Sequence, residues 1–390
     1  MTVWLQNPFD NLPTEGYRKQ RYWMMAEAFV RAGHRVVLWT SDFNHTTKAR
    51  RVTRVEKVAG VEVRQVSTRP YRKNVGLERV KSHRNCARVW ERMALATGER
   101  PDLLVTSLPT ISGAEAALRL GRKLGAKVVV DVQDAWPETF ERLAPRGFGW
   151  LAHLALSGLR SRAQRVYREA DLVTGVCERY RALTGRDDYR RAYLGVEREE
   201  NRRVEVERWR GDAATVVRLV YAGNLGVSYD LGTVIRGLGE ATLDIAGKGD
   251  EEAKWKRLVK ELGLEGQVTF HGYLDERALH ELMARCDVGV VPMCDDSFVG
   301  VPNKMCEYAA AGLRIVSSLG GESAELLRRY GCGATYSPGD AAAFAAAVKK
   351  AGTCPREAAY ELAECEFDAV RIYDDYVAAC ARMMQAALLV

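Results

Sequence analysis

The residues best suited to chemistry stand just after short apolar stretches. Gly223 follows RLVYA and Gly226 comes three residues on, so the backbone there turns tightly and can aim N–H groups, at the start of the next helix, at an anion such as a diphosphate. The same glycines serve equally in an ordinary strand-to-helix turn with nothing bound. Lys304 opens a later predicted helix, where an ammonium and a helix N-terminus both favour negative charge; the alternative is a solvent-facing lysine. Glu307, three residues further, offers an acceptor-only carboxylate. Gly247-Lys248-Gly249 also ends a strand, but the third glycine of a dinucleotide fingerprint would fall at Glu252, which argues against a nicotinamide cofactor. In the N-terminal half, Asp134 and Glu138 emerge from the apolar run KVVVDVQ, and Asp134 serves either as an acceptor-binding or catalytic carboxylate or as an N-cap. In Glu15-Gly16-Tyr17-Arg18, the glycine lets backbone approach a substrate and Arg18 supplies charge.

The elements that must position these groups alternate regularly. A strand at 3–6, a helix from Tyr17 to Ala32 closed by Gly33 and a strand at 35–41 form a βαβ opening. Strands at 102–107, 127–134 and 171–176 follow, with a helix over 111–124 closed by Gly125 and a basic amphipathic stretch over 148–168. Strands this apolar on both faces belong to a parallel sheet covered on both sides. After a polar stretch from Val196 to Ala214, a second series begins, with strands at 218–223, 241–247, 267–272, 288–293 and 314–318 and helices over 229–239, 250–262, 275–285 and 303–311. The expectation is an α/β chain of two Rossmann-like doubly wound domains, 1–195 and 196–365, with ligands at the carboxyl edges of the strands. Residues 366–390 read as an amphipathic helix with Val370, Tyr373, Val377, Cys380 and Met384 on one face, packing on the first domain or on its own.

Length and composition agree: 390 residues suit two cores, and 47% hydrophobic with 28% charged residues suit globular folding. Nine scattered cysteines without a Cys-x-x-Cys pair predict a reducing compartment and no structural metal. The opening MTVWLQNPFDNLPTEG lacks a signal-peptide pattern, and no apolar run reaches 18 residues, so a cytoplasmic location is expected. The net charge of +7 draws on many basic residues between Lys48 and Arg100, which form either a solvated face or a surface for anionic lipid headgroups or a pyrophosphate-bearing substrate. No nucleic-acid-binding signature accompanies them.

Four segments between Leu219 and Leu327 carry a more specific signal: YAGNLGVSYDLGTVIRG, LDIAGKGDEE, VTFHGYLDERALHELMARCDVGVVPM and VPNKMCEYAAAGLRIVSSLGGESAELL. In order and spacing they resemble the donor-binding domain of family 4 glycosyltransferases. DVQDAWPE and PTEGYR extend the resemblance more weakly to bacterial cell-surface polysaccharide transferases. The resemblance implies a GT-B architecture: two domains face each other across a cleft and the terminal helix crosses back to the first. It implies retaining transfer of a sugar from a nucleotide-diphosphate donor, UDP by family habit, with no required metal; the sequence has no Asp-x-Asp motif. The donor site would comprise Gly223, Asn224, Gly226, Gly247, Gly249, Tyr273, Leu274, Gly300, Val301, Pro302, Asn303, Lys304 and Glu307, with the segment from His271 pairing to the base and Glu307 accepting from the ribose hydroxyls. Asp134, Lys304 and Glu307 are the catalytic candidates, and Glu15, Gly16, Arg18 and Glu138 the acceptor or diphosphate loop.

Two departures stand out. The loop's usual arginine and lysine are replaced by Asn224 and by Ser228 or Tyr229, so Lys304 becomes the candidate cation. The first of two paired glutamates is Val299, leaving the sugar side to the backbone of Gly300–Asn303 or to Asp295 or Asp296. The implied partners are a glycan or polyprenyl-diphosphate-linked acceptor and an anionic membrane surface met by the basic segment 69–84, peripherally on the inner face, with no nucleic acid. A sugar-nucleotide epimerase on the same fold and a non-catalytic nucleotide-sugar-binding protein are the rival readings.

Overall fold

In a computed structural model of the chain, the structure describes residues 1–16, 19–51, 56–73, 76–141, 149–197, 216–294 and 298–386. The chain forms two compact units, Met1–Tyr193 with Val370–Val390, and Leu194–Ala369. The last helix therefore belongs with the first unit.

The first unit is built on an eight-stranded sheet. Its strands are β1 (Thr2–Gln6), β2 (Arg35–Ser41), β5 (Lys57–Val58), β6 (Val61–Val66), β7 (Leu103–Leu108), β8 (Lys127–Val132), β9 (Leu172–Gly175) and β10 (Arg190–Arg191), while β3 (Phe43–Asn44) and β4 (Ala49–Arg50) form a separate ribbon. The order is β10-β9-β8-β7-β1-β2-β6-β5, parallel except for β5 against β6. All six residues of β7 are buried, as a strand covered on both faces requires. The helices Leu77–Ala96, Ile111–Leu124 and Gly149–Glu169 pack side by side.

One knot fastens this unit. Arg21 meets Asp131 through two hydrogen bonds of 2.8 and 2.7 Å and donates to the carbonyls of Ala192 and Tyr193, each at 2.9 Å. Thr174 donates to the same carboxylate at 2.8 Å, and Tyr373 of the last helix lies 5.7 Å from the guanidinium. Both charges are buried, and the arginine stays protonated because the carboxylate beside it outweighs its desolvation.

Two sequence expectations need correction here, for the first and the last helix, and the basic region holds elements that the sequence reading did not assign. The first helix runs Arg21–Arg31 and starts four residues late, because Gln20 is extended (φ −107°, ψ 172°) and its side chain accepts the Asn11 N–H. The basic region holds β6 and a 20-residue helix whose inner face is Ser82, His83, Cys86, Ala87, Trp90 and Ala94. In the last helix, Ala369–Ala386, the buried stripe is Ala369, Ile372, Tyr373, Tyr376, Val377 and Cys380, whereas Val370 is 54% exposed.

The second unit has a six-stranded, all-parallel sheet of β11 (Arg218–Ala222), β12 (Thr242–Ala246), β13 (Val268–Gly272), β14 (Val288–Val291), β15 (Arg314–Ser317) and β16 (Gly333–Thr335), in the order β13-β12-β11-β14-β15-β16. Leu219, Tyr221, Leu243, Ile245, Val288 and Phe344 form part of its core. Strand order reverses between β11 and β14, and such a reversal opens a crevice at the carboxyl ends of the strands. A parallel bridge between Val196 and Asp368 pairs the chain segments entering and leaving this unit.

Candidate active site

At the β11/β14 reversal, two glycine turns press together. Gly223 (φ +145°) donates its N–H to Ala246 O at 2.8 Å, and Gly247 (φ +140°) donates to Gly272 O at 2.6 Å. A Cβ on Gly247 would fall 1.8 Å from Gly223 O, and one on Gly249 2.4 Å from Leu225 O. Only hydrogen fits at either position, so both glycines are fixed by close approach, and Gly247 by its backbone conformation as well.

Lys304 reaches over this turn from the helix Asn303–Ala310, which follows β14. Its ammonium donates to Tyr229 OH at 3.1 Å and lies 4.2 Å above the Tyr229 ring and 5.2 Å from the Tyr221 ring. A Cβ on Gly223 would sit 2.4 Å from Lys304 Nζ, so the missing side chain makes room for the ammonium. Tyr221 in turn donates to Asn224 O at 2.5 Å, and Tyr308 OH accepts the Ala222 N–H at 2.8 Å. Burial pushes both phenols well above their ordinary range, so they remain neutral, Tyr221 beside the cation and Tyr308 on the strand backbone. Tyr229 occupies one of the two positions where the family's lysine would fall, and it is this ring that receives Lys304. Sequence reasoning noted Tyr229 only as a position lacking the family's lysine and did not single out Tyr221 or Tyr308, because nothing in the spacing brings residues 221 and 229 to residue 304.

One of the N–H groups at the start of the next helix is already taken. That helix, Leu231–Arg236, is capped by Asp230, whose carboxylate accepts the Thr233 N–H at 3.1 Å. A negative group already holds that end. Within the loop, the Gly223 and Leu225 N–H groups bond to Ala246 and Lys248 carbonyls. The Lys304 ammonium is the cation placed over this loop.

Other expected donor residues spread around this centre. Glu307 is half-buried one turn into the Lys304 helix, Val301 and Pro302 lead into it, and Asn303 is exposed at its first position. Gly300 O accepts from Ser323 Oγ at 2.5 Å. Asn224 and Tyr273 are exposed, while Gly226 and Leu274 are half-buried. His271 Nε2 pairs with Asp244 Oδ1 at 2.6 Å, a side-chain partner on the neighbouring strand. Asp295 and Asp296 lie outside the described residues.

In the first unit, Asp134 follows β8. It accepts from Trp136 Nε1 at 3.0 Å and Thr139 Oγ1 at 3.2 Å, and burial holds its carboxyl above the usual range. Glu138 lies 3.5 Å from Arg160 Nε. Glu15 is committed to its own loop: it accepts from Leu12 N–H at 2.7 Å, from Asn44 Nδ2 at 3.2 Å and from Arg51. Gly16 is left-handed (φ +74°), and Arg18 lies outside the described residues. The basic segment 69–84 divides in two. Arg72, Lys73, Lys81 and Arg84 are exposed with Leu77, but Tyr71 is buried and Arg79 lies against the rings of Phe9 and Trp136 at 5.2 and 4.7 Å.

Comparison with known proteins agrees with this geometry. Residues 19–196 match the family model described as a glycosyl transferase 4-like domain, and residues 217–352 that of glycosyl transferases group 1. Similar solved structures include sucrose-phosphate synthase from Thermosynechococcus elongatus (14% identity, 99% of each chain covered, TM-score 0.73). HepE of Anabaena in complex with UDP is also similar (14% identity, 98% of this chain and all of that one, TM-score 0.70). So is the lipopolysaccharide outer core galactosyltransferase WaaB (14% identity, 98% and 99%, TM-score 0.63). No curated protein matches the chain in sequence. The fold and the paired domain matches define a glycosyltransferase of GT-B architecture. Within that class the chain belongs to the GT4 type.

Proposed function

We propose that the enzyme transfers a sugar from UDP, with retention and without a required metal, to a glycan or lipid-linked glycan in the assembly of cell-surface polysaccharide. The observation that carries this reading is the Lys304 ammonium held over Gly223 at the strand-order reversal. A diphosphate seated there would have a cation fixed by Tyr229 beside its oxygens, in place of the loop cations that this sequence lacks. As the bond from the anomeric carbon to the phosphate oxygen breaks, its electron pair leaves on UDP. The acceptor oxygen bonds to the anomeric carbon on the same face, and its proton passes to the leaving diphosphate. The protein's part is positioning and charge stabilisation. Glu307, on the same helix as Lys304, takes the ribose hydroxyls, and Asp134 orients the acceptor.

UDP is the choice because it is the nucleotide bound to the similar HepE. Peripheral contact with an anionic membrane rests on the exposed Arg72, Lys73, Lys81 and Arg84 beside Leu77; no helix among the described residues is long and apolar enough to cross a membrane. The test is thermal stabilisation by a panel of nucleotide sugars, since a donor that binds only the folded chain raises its Tm. Glu307→Ala should weaken UDP by one or two charge-assisted bonds, about 1.5–3 kcal/mol each. Equal affinity of that variant for UDP would refute the ribose assignment.

A further inference from the structure

A second cluster of charged and aromatic side chains lies in the first unit, drawn from chain segments far apart in sequence. Phe9 follows β1, His45 and Lys48 lie in or beside the β3–β4 ribbon, Tyr71 follows β6, Arg79 and His83 lie on the helix Leu77–Ala96, and Trp136 follows β8. β1, β6 and β8 run parallel within one sheet, so the residues that follow them emerge at its carboxyl edge, where such sheets bind ligands. His45, Phe9, His83, Trp136 and Phe140 make a continuous row of rings, with successive centroids 5.3, 5.3, 5.7 and 4.3 Å apart. Tyr71, His83 and Trp136 are buried and form a floor; Phe9, His45, Lys48, Arg79 and Asp134 are half-buried around it.

Two cations stand in this row. Arg79 lies against Phe9 and Trp136, and its Nε donates to His83 Nε2 at 3.3 Å. Lys48 donates to His45 O at 2.6 Å, comes within 3.2 Å of His45 Nδ1 and lies 4.9 Å from the Tyr71 ring. Burial, then the cations beside them, pushes both histidines down to about 3, so they are neutral. Burial, and then Arg79, also lowers Lys48 to about 8, so near neutral pH it is charged next to a like charge. An arginine already fixed by packing loses little rotamer freedom when it takes an anion, and an anion beside Lys48 would offset the like charge of Arg79, whose other charged neighbour is the Asp134 carboxylate.

We propose that Lys48 and Arg79 form an anion subsite in the first unit, beside an aromatic surface for a sugar ring, and that the acceptor is therefore a glycoside carrying a phosphate next to its sugar. This rests on the glycosyltransferase reading of Asp134 as the acceptor-side carboxylate and adds the chemical class of the acceptor. Phosphate supplies the charge and a sugar the apolar ring face, whereas a neutral glycan would satisfy the rings alone.

The test uses the full chain saturated with UDP, so that the donor's diphosphate site is filled, and titrates it calorimetrically with methyl glucoside, glucose 1-phosphate and farnesyl-diphosphate-linked glucose. Both phosphorylated compounds should bind about tenfold or more tighter than methyl glucoside. Lys48→Gln and Arg79→Gln should each erase most of that preference while leaving UDP affinity unchanged, and Arg79→Lys should restore part of it. Preference for the farnesyl compound over glucose 1-phosphate would assign the phosphate to a lipid carrier, and equal binding to a soluble sugar phosphate. A merely structural role for Arg79 would weaken all three ligands alike, and Lys48→Gln, near the rim, guards against a folding defect. Equal binding of methyl glucoside and glucose 1-phosphate to the unaltered protein, or a preference that survives both substitutions, would overturn the proposal. UDP binding, measured first in the same samples, reports separately on the donor-site reading.

Discussion

The two buried histidines should make the first unit sensitive to mild acid. Burial lowers His45 and His83 from 6.5 to about 3, so between those values the unfolded chain binds protons that the folded chain refuses. Stability is then fully present above pH 6.5 and falls with pH below it. Going from pH 7 to 5.5, the two histidines together remove about 2.5 kcal/mol. Asp10 opposes them: burial raises it from 3.8 to about 6, so its folded form takes up a proton in this range and returns about 0.8 kcal/mol. The net loss is about 1.7 kcal/mol, nearly a twentyfold rise in the unfolded fraction. Because the chain has two units, a single global melting curve would mix them. Hydrogen exchange resolves them, with amides of β1 reporting on the first unit and those of β11 on the second. Protection in β1 should fall by that amount between pH 7 and 5.5, after correction for intrinsic exchange, and in the double variant His45→Gln, His83→Gln the dependence should reverse, leaving the gain of about 0.8 kcal/mol from Asp10. A β1 stability that stays level or rises on acidification in the unsubstituted protein would refute the reasoning.

Three further outcomes are expected. Lys304→Met should weaken UDP by about 1.5–3 kcal/mol while leaving uridine unaffected, checked by calorimetry, because the ammonium addresses the diphosphate and the methionine keeps the ring contacts. Arg21→Met should destabilise the first unit by about 3–5 kcal/mol in denaturant unfolding, since Asp131 would stay buried without its partner. Neutralising Arg72, Lys73, Lys81 and Arg84 together should abolish salt-sensitive co-sedimentation with anionic vesicles without changing UDP affinity; Arg79 is omitted because it packs on the rings.

Much of the architecture was legible because parallel strands buried on both faces write themselves as short apolar runs. β7, β8, β11, β12 and the helix Ile111–Leu124 with its Gly125 cap fall where those runs and glycines put them. The helix Leu77–Ala96 was hidden because its inner face includes Ser82 and His83, and exposed arginines at 84, 88 and 92 read as a charge run. Gly223, Gly247 and Lys304 were visible as candidates, but their joint geometry depends on Tyr229, which the sequence marks only as a place where a lysine is missing. Likewise, the rings from Phe9 to Phe140 meet only because strand order places β1 and β8 two positions apart in the sheet, which no local pattern encodes.

The division of the chain bears on how it is made. The second unit is one continuous segment, Leu194–Ala369, but the first is closed by residues at the far end. As the polypeptide leaves the ribosome, the second unit can finish folding while the first still waits for Tyr373, Tyr376 and Cys380 to cover its Arg21–Asp131 pair. The unit made earlier is the later to be sealed, and synthesis halted before residue 370 would leave a finished second unit attached to an incomplete first one.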